Sequence, residues 1–244
     1  MKKKILLIIP AYNEEENIIK TCKSIDEYNK KNELKLDYVV INDGSKDSTP
    51  KILDENRINH IDLIHNLGIG GAVQTGYKYA LDNDYDIAIQ YDGDGQHDVS
   101  YVEKLIEPII NKNVNMTIGS RFIDKTSSQF KSSAARRIGI NLISFVIKLK
   151  TGVKIYDTTS GFRAVDKKII KIFAGSYPTE YPEPISTVKI LNNNFSVEEI
   201  PVGMKEREGG KSSINSWKTV YYMINVILSI LISKKGGRKI WEQI

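Results

Sequence analysis

With a single cysteine, Cys22, in 244 residues, the chain cannot close an intrachain disulfide, so nothing in it argues for an oxidising compartment. Long apolar runs are missing as well. The apolar stretch behind Lys2, Lys3 and Lys4 covers only residues 5–9, too short for a secretory signal, which sets the expectation of a cytoplasmic protein. Two longer apolar stretches, 138–149 and 220–232, are broken by Lys148, Asn225 and Ser229 and fall short of the roughly 18 uninterrupted apolar residues of a membrane span. They are expected to be helices facing a membrane surface or a small membrane protein partner, against the plainer reading of amphipathic helices packed on the domain. Internal repeats and low-complexity linkers are also absent.

Two phosphate-binding fingerprints are incomplete, and each gap excludes a class of protein. In Asn66-Leu67-Gly68-Ile69-Gly70-Gly71-Ala72, Val73 stands where the third glycine of Gly-x-Gly-x-x-Gly belongs, which argues against a dinucleotide-dependent oxidoreductase. Gly210-Lys211-Ser212 ends like a P-loop, but Lys205 occupies the first glycine position and no strand-loop-helix pattern surrounds it, which argues against an ATPase or kinase.

What is present is a globular composition, 41% hydrophobic and 27% charged, in a length suited to one large domain with a short appendage. We place a catalytic domain at residues 1–212 and an amphipathic helical tail at 213–244. Short apolar runs at 5–9, 38–41, 61–64, 87–91 and 116–118 alternate with helical patterns at 14–28, 49–56, 71–81 and 100–110. That alternation predicts an α/β fold with a mostly parallel sheet flanked by crossover helices. The net charge of +5 suits anionic partners such as phosphate esters or an anionic leaflet; no nucleic-acid partner is expected, and a homo-oligomer is left open.

Open sheets bind ligands beyond the carboxyl ends of their strands, and three polar motifs fall there: Pro10-Ala11-Tyr12-Asn13-Glu14, Asn42-Asp43-Gly44-Ser45 and Asp92-Gly93-Asp94-Gly95-Gln96-His97. Asp92 and Asp94 are two carboxylates separated by one glycine at a strand end, a pattern that lets both approach one hard cation, Mg²⁺ or Mn²⁺, bridged to phosphate oxygens. An Asp-Gly turn is the bland alternative. His97 is either a further contact or a structural residue. Asn13 ahead of Glu14, Glu15 and Glu16 reads as a helix N-cap, and Asp43 either shapes a turn or accepts hydrogen bonds from a base or ribose. Arg121, Arg136, Arg137, Arg163, Arg207 and Lys211 form a basic set suited to gripping phosphate. The segment 207–213, with paired glycines, a cation and hydroxyls, has the makings of a closing loop.

In this order the motifs resemble the family 2 glycosyltransferases, and in particular the dolichyl- and polyprenyl-phosphate sugar synthases, over residues 10 to 213. The resemblance implies a GT-A fold, a Rossmann-like sheet with a metal-binding Asp-x-Asp, and inverting sugar transfer from a UDP- or GDP-sugar in bacterial-type surface polysaccharide or glycoconjugate synthesis, at the inner face of the membrane. It implies that Pro10, Ala11, Tyr12 and Glu14 hold the nucleoside, and that Asp43 contacts base or ribose. Asp92, Gly93 and Asp94 form the metal and diphosphate site, with Gln96 beside it. Arg121 and Arg137 contact phosphate, Asp157 and Arg163 belong to an acceptor-side segment running through Thr159-Ser160-Gly161-Phe162, and Arg207 and Ser212 clamp the diphosphate. Three positions depart from the pattern: Asn42 replaces an Asp, Ile185 replaces an acid after Glu183, and Ser213 replaces a Lys. A polyprenyl phosphate acceptor needs no general base, whereas a sugar hydroxyl acceptor would use Asp157 or Glu183 as one. A nucleotidyltransferase and a catalytically silent nucleotide-sugar binding module are the alternatives of other classes.

Overall fold

The structure, a computed structural model, describes residues 3–123, 134–203 and 216–233. Strands β1 (Ile5–Ala11), β2 (Asp37–Asn42), β3 (His60–Asp62) and β4 (Ile87–Gln90) alternate with helices α1 (Ile18–Lys31), α2 (Thr49–Glu55) and α3 (Gly68–Asp82). After α4 (Val102–Asn111) come β5 (Met116–Ser120), α5 (Ala134–Thr151), β6 (Arg163–Asp166), α6 (Lys167–Gly175), α7 (Pro182–Asn192), β7 (Val197–Pro201) and α8 (Ser216–Ile232). The strands form one sheet in the order β3-β2-β1-β4-β6-β5-β7. β1 pairs in parallel with β2 and β4, β2 with β3, and β5 with β7, while β6 runs antiparallel to both its neighbours. The expected mostly parallel sheet is therefore present, with one reversed strand.

Period-two alternation decides which side chains meet which helices. From β1, Ile5, Leu7 and Ile9 enter one core with Ile25 of α1, Leu53 of α2 and Leu105 of α4. Leu6 and Ile8 enter the opposite core with Tyr77 of α3, Phe173 of α6, Ile147 of α5 and Val226 of α8. Because both faces are covered, β1 is buried along its whole length and reads as a continuous apolar run. Pro10 is tolerated inside it for a geometric reason. Ile8 turns its carbonyl toward β4, accepting from Tyr91 at 2.9 Å, so Pro10 two residues on faces the same way, but the β1–β4 ladder has already ended at Ile8 and Gln90. The missing N–H falls where no strand would receive it.

The helix and strand expectations of the first half hold with shifted ends, and two differ in substance. The run at 61–64 gives only the short β3, and Ile64 is 91% exposed, because it lies past the sheet edge. The helix expected to start behind an Asn13 cap begins at Ile18 instead. Asn13 sits in the left-handed region at φ 55°, and its side chain accepts the backbone N–H of Lys46 at 2.8 Å, so the neighbouring loop has taken the capping group. The second apolar stretch is α8, which packs against α5 and α7 and gives Val226 and Ile230 to the shared core.

Gly76 marks where α3 crosses β1. A Cβ there would lie 2.1 Å from Cγ2 of the buried Ile8 and 2.9 Å from its Cγ1. Gly76→Ala should destabilise the fold by about 1–3 kcal/mol through overpacking, outweighing the ~1 kcal/mol that alanine gains in helix propensity. In urea unfolding, the Ile8→Ala and Gly76→Ala changes together should lose clearly less than the sum of their separate losses; simple additivity would show that this contact does not set the helix-to-sheet distance.

Candidate active site

β1, β2 and β4 end at the same edge of the sheet, with Ala11 in register with Asn42 and Ile8 with Gln90. The loops that follow are stitched to each other before any ligand arrives. The N–H groups of Asn13, Glu14 and Glu15 donate to Ser45 Oγ, Thr49 Oγ1 and Asp47 Oδ2 at 3.0, 3.0 and 3.2 Å, and Glu15 in return accepts the Ser48 N–H at 2.9 Å. Tyr12 is left 43% exposed at the top of this loop, free to meet a planar ring. Asp43 is buried, its Oδ1 accepting the Leu67 N–H at 2.7 Å at the start of α3. Burial raises the Asp43 pKa, opposed by the N–H groups of Leu67 and Gly68. Asn42, where the family usually has Asp, donates from Nδ2 to Asp62 Oδ1 at 2.6 Å. An aspartate there would set two carboxylates face to face, so Asn42 and Asp62 are matched to each other.

At the end of β4, Gly93 carries Asp92 and Asp94 across the end of β1; a Cβ on Gly93 would lie 3.1 Å from the Pro10 carbonyl oxygen, and the Gly93 carbonyl accepts from Thr21 Oγ1 at 3.0 Å. His97 Nε2 lies 3.0 Å from Asp92 Oδ2. Its ring is stacked on Phe162 with centroids 4.8 Å apart, and its carbonyl accepts from Tyr91 Oη at 2.7 Å. Burial alone would push the Asp92 carboxyl up, but the adjoining His97, with help from Gln90 and the Arg121 charge, outweighs it and holds the carboxyl below the usual carboxylate range. Asp94 Oδ1 accepts the Gln96 N–H at 3.1 Å, which fixes the turn. Among the described residues no group of three or more His, Cys, Asp and Glu surrounds one point. The donor set is thus a pair of carboxylates, one of them held ionised. That fits a hard divalent cation completing its shell with phosphate and water oxygens.

The segment after α5 closes the site from the side opposite β1. A Cβ on Gly161 would lie 3.0 and 3.1 Å from the two Asp92 carboxylate oxygens, so Gly161 is seated directly against the acid. Arg121, at the end of β5, makes a two-pronged contact with buried Asp157, Nε to Oδ2 and Nη2 to Oδ1 both at 2.7 Å, and adds its backbone N–H at 3.1 Å and Thr159 Oγ1 at 3.1 Å. Glu199 of β7 accepts the N–H groups of Tyr156 and Asp157 at 2.7 Å each. The Phe122 ring lies near two cations, its centroid 5.3 Å from the Arg121 guanidinium and 5.2 Å from that of Arg137. Arg163 is 1% exposed; it donates to the Ser160 carbonyl at 2.6 Å and, on α7, to the Glu183 carbonyl at 2.7 Å and Thr187 Oγ1 at 3.0 Å. Desolvation raises the pKa of Glu183, with the Arg163 charge opposing it. Tyr181, ahead of α7, adopts φ 50° and ψ 50°, an uncommon conformation for a tyrosine, and packs edge-on against Tyr222 of α8 with centroids 4.6 Å apart.

Pro10, Ala11, Asp43, Asp92, Gly93, Asp94, Gln96, Asp157 and Arg163 thus come together around one sheet edge, with Tyr12 and Glu14 in the first loop and Arg121 and Arg137 along one side. Arg207 and Ser212 lie outside the described residues. Sequence reasoning missed Glu199, an acid on an edge strand with no motif around it, and left the partner of His97 unspecified. No local pattern in the sequence pairs Phe162 with His97, which stacks on it across the sheet edge.

Asp157→Asn should lower stability by about 3–5 kcal/mol by leaving the Arg121 charge buried without its partner. Measured by chemical denaturation, the Arg121→Gln and Asp157→Asn changes together should recover part of that loss. If the single change is as mild as a surface substitution, the pair does not hold these two segments together.

The sequence profile described as Glycosyl transferase family 2 matches residues 6–173. A UDP-N-acetylglucosamine–dolichyl-phosphate N-acetylglucosaminyltransferase of Methanococcus voltae is 33% identical over 220 residues, covering 82% of this chain and 85% of that one. A polyprenol monophosphomannose synthase of Mycolicibacterium smegmatis is 28% identical over 220 residues, covering 86% and 80%. Among solved structures, glucosyl-3-phosphoglycerate synthase from Mycobacterium tuberculosis, in complex with Mn²⁺, UDP-glucose and phosphoglyceric acid, superposes with a TM-score of 0.68 at 16% identity, over 96% of this chain and 82% of that one, which establishes the likeness of fold. The profile match, reaching from β1 through β6 and most of α6 and taking in the Asp92-Gly93-Asp94 corner, makes the chain a family 2 glycosyltransferase with a GT-A fold.

Proposed function

We propose that the enzyme moves a sugar, with inversion, from a UDP- or GDP-sugar to a polyprenyl phosphate at the inner face of a membrane, in the synthesis of a surface polysaccharide or glycoconjugate. The observation that carries the choice of acceptor is the state of Asp157. Both of its carboxylate oxygens are engaged by Arg121 and its side chain is fully buried, so a sugar hydroxyl has no access to it as a base. A phosphate acceptor requires no such base, since its second pKa lies near ~6 and the attacking oxygen is already anionic at neutral pH. The names of the Methanococcus and Mycolicibacterium relatives, acting on dolichyl and polyprenol acceptors, support the same reading.

In this reading the loop from Pro10 to Glu14 and Asp43 hold the nucleoside, with Tyr12 against the base. Asp92 and Asp94 would hold Mg²⁺ or Mn²⁺, which supplies positive charge to the departing nucleoside diphosphate. Gln96 lines the same corner. Arg121 and Arg137 set cationic charge on the side from which an anionic acceptor approaches, and Asp157 keeps Arg121 in place. Arg163 fixes the first turn of α7 and so the position of Glu183. Arg207 and Ser212 close over the diphosphate. Catalysis then consists of in-line positioning and stabilisation of charge on the leaving group.

The hydroxyl-acceptor reading keeps one carboxylate, Glu183, whose raised pKa suits a base. Incubating the enzyme with labelled UDP- and GDP-sugars, Mn²⁺ or Mg²⁺ and polyprenyl phosphate should move label into organic solvent. Asp94→Ala should cut turnover by about 10²–10³ under saturating metal, while Glu183→Gln should stay within about tenfold of the native enzyme. Near-normal turnover by Asp94→Ala would overturn the metal site. Loss of 10² or more in Glu183→Gln, with label found on a sugar hydroxyl, would overturn the phosphate acceptor.

A further inference from the structure

β7 lies beyond residues 6–173, the stretch matched by the family profile, and it is an edge strand, paired only with β5. Its two adjacent acids go to opposite faces, as alternation along a strand requires. Glu198 lies 3.6 Å from Lys112 at the end of α4, with both side chains exposed, an ordinary surface pair. Glu199 turns to the other face, where the segment after α5 runs. Its carboxylate is divided between two consecutive backbone N–H groups, Oε2 accepting from Tyr156 and Oε1 from Asp157, each at 2.7 Å. Burial raises the Glu199 pKa, and those two N–H groups oppose it.

These contacts close a ring. Arg121 follows β5 directly and holds both oxygens of Asp157, and the Asp157 N–H is in turn held by Glu199. Glu199 returns to β5 through strand pairing, in register with Ile118, and past the end of β7 the Val202 N–H still donates to the Ser120 carbonyl at 3.1 Å. Side chain and backbone of the fully buried Asp157 are thus fixed from two neighbouring strands. An arginine held at the end of such a ring has given up its rotamer freedom before any ligand arrives, which lowers the cost of binding an anion there. The chemistry required at position 199 is narrow. An ionised carboxylate accepts at both oxygens, whereas a glutamine of the same shape offers one oxygen and one NH₂, and the NH₂ would face a backbone N–H.

We propose that Glu199 is a positioning residue for the transfer reaction: through Asp157 it orients Arg121 toward the anionic head of the acceptor, so that β7 sets acceptor affinity without belonging to the metal corner or the nucleoside loops. This rests on the phosphate-acceptor reading. The probe is farnesyl phosphate, titrated calorimetrically into the full chain with Mn²⁺ present, beside parallel titrations of UDP and GDP. Glu199→Gln should weaken farnesyl phosphate binding by about tenfold or more, while affinity for the nucleoside diphosphate that the native chain binds stays within about twofold. Glu199→Asp, which keeps two acceptor oxygens on a shorter stem, should lose less than Glu199→Gln. In a background carrying Arg121→Gln and Asp157→Asn there is no guanidinium left to orient, so adding Glu199→Gln should cost less than about twofold. Native-like farnesyl phosphate affinity in Glu199→Gln overturns this inference alone. So does an equal loss in both backgrounds, or a parallel loss of nucleoside diphosphate affinity, either of which would make Glu199 a general support of the fold. A native chain that binds the nucleoside diphosphate and no farnesyl phosphate overturns the acceptor reading and this inference with it.

Discussion

The two-pronged contact between Arg121 and Asp157 holds the segment after α5 to the end of β5. Removing two charges from water is expensive, and their attraction compensates only when geometry is good and the remaining hydrogen-bonding positions are filled. Here they are. Asp157 Oδ2 also accepts the Arg121 N–H, Arg121 Nη2 reaches Thr159, and the Asp157 backbone is held by Glu199 from β7. The pair thus links the end of β5, the segment after α5 and the edge strand β7. That linkage places Gly161 against Asp92 and Phe162 against His97. The same segment is fixed a second time by the pairing of Gln90 with Arg163 between β4 and β6 and by Arg163 Nε donating to the Ser160 carbonyl.

The two halves of the site meet at Asp92. From the donor side, the acid is delivered by β4 and by the close approach of Gly93 to the end of β1. From the other side, Gly161 lies against both of its oxygens and Phe162 stacks on His97, which holds one of them. His97 and the Arg121 charge keep the acid ionised despite its burial. Ionisation matters because a carboxyl that is already charged can bind a cation without first losing a proton. A carboxylate prepared in this way is suited to holding a divalent cation.

The donor half was legible in the sequence because it is local. Parallel strands, each ending in a polar motif, bring those motifs to one edge whatever the helices between them do, so Asp43, Asp92 and Asp94 were placed by pattern alone. The ends of elements were less legible, and for a physical reason that Asn13 illustrates. Its side chain satisfies a cap in isolation, but the loop at 43–48 offers a competing backbone N–H, and that tertiary contact moved the start of α1 to Ile18. The acceptor half was readable only through family resemblance. Its contacts join residues far apart in sequence, Arg121 with Asp157 and Glu199 with Tyr156, and the reversed strand β6 inserts between β4 and β5 without any periodicity that announces its direction. The role of Asp157 follows from its partner. The motif marks it as important, and only the bound guanidinium shows that its carboxylate orients a cation.

Read outward from the sheet edge, the molecule changes character in a consistent sequence: carboxylates at the end of β4, guanidiniums at the end of β5 and the start of α5, then exposed apolar rows on α5 and α8. A polyprenyl phosphate has the complementary order, an anionic head on an apolar chain. In the proposed reading, a phosphate oxygen between the Asp92–Asp94 corner and the Arg121–Arg137 pair is drawn to the side where its charge is compensated. No aspartate or glutamate stands on α5, so the helix that carries Arg137 adds no negative charge there.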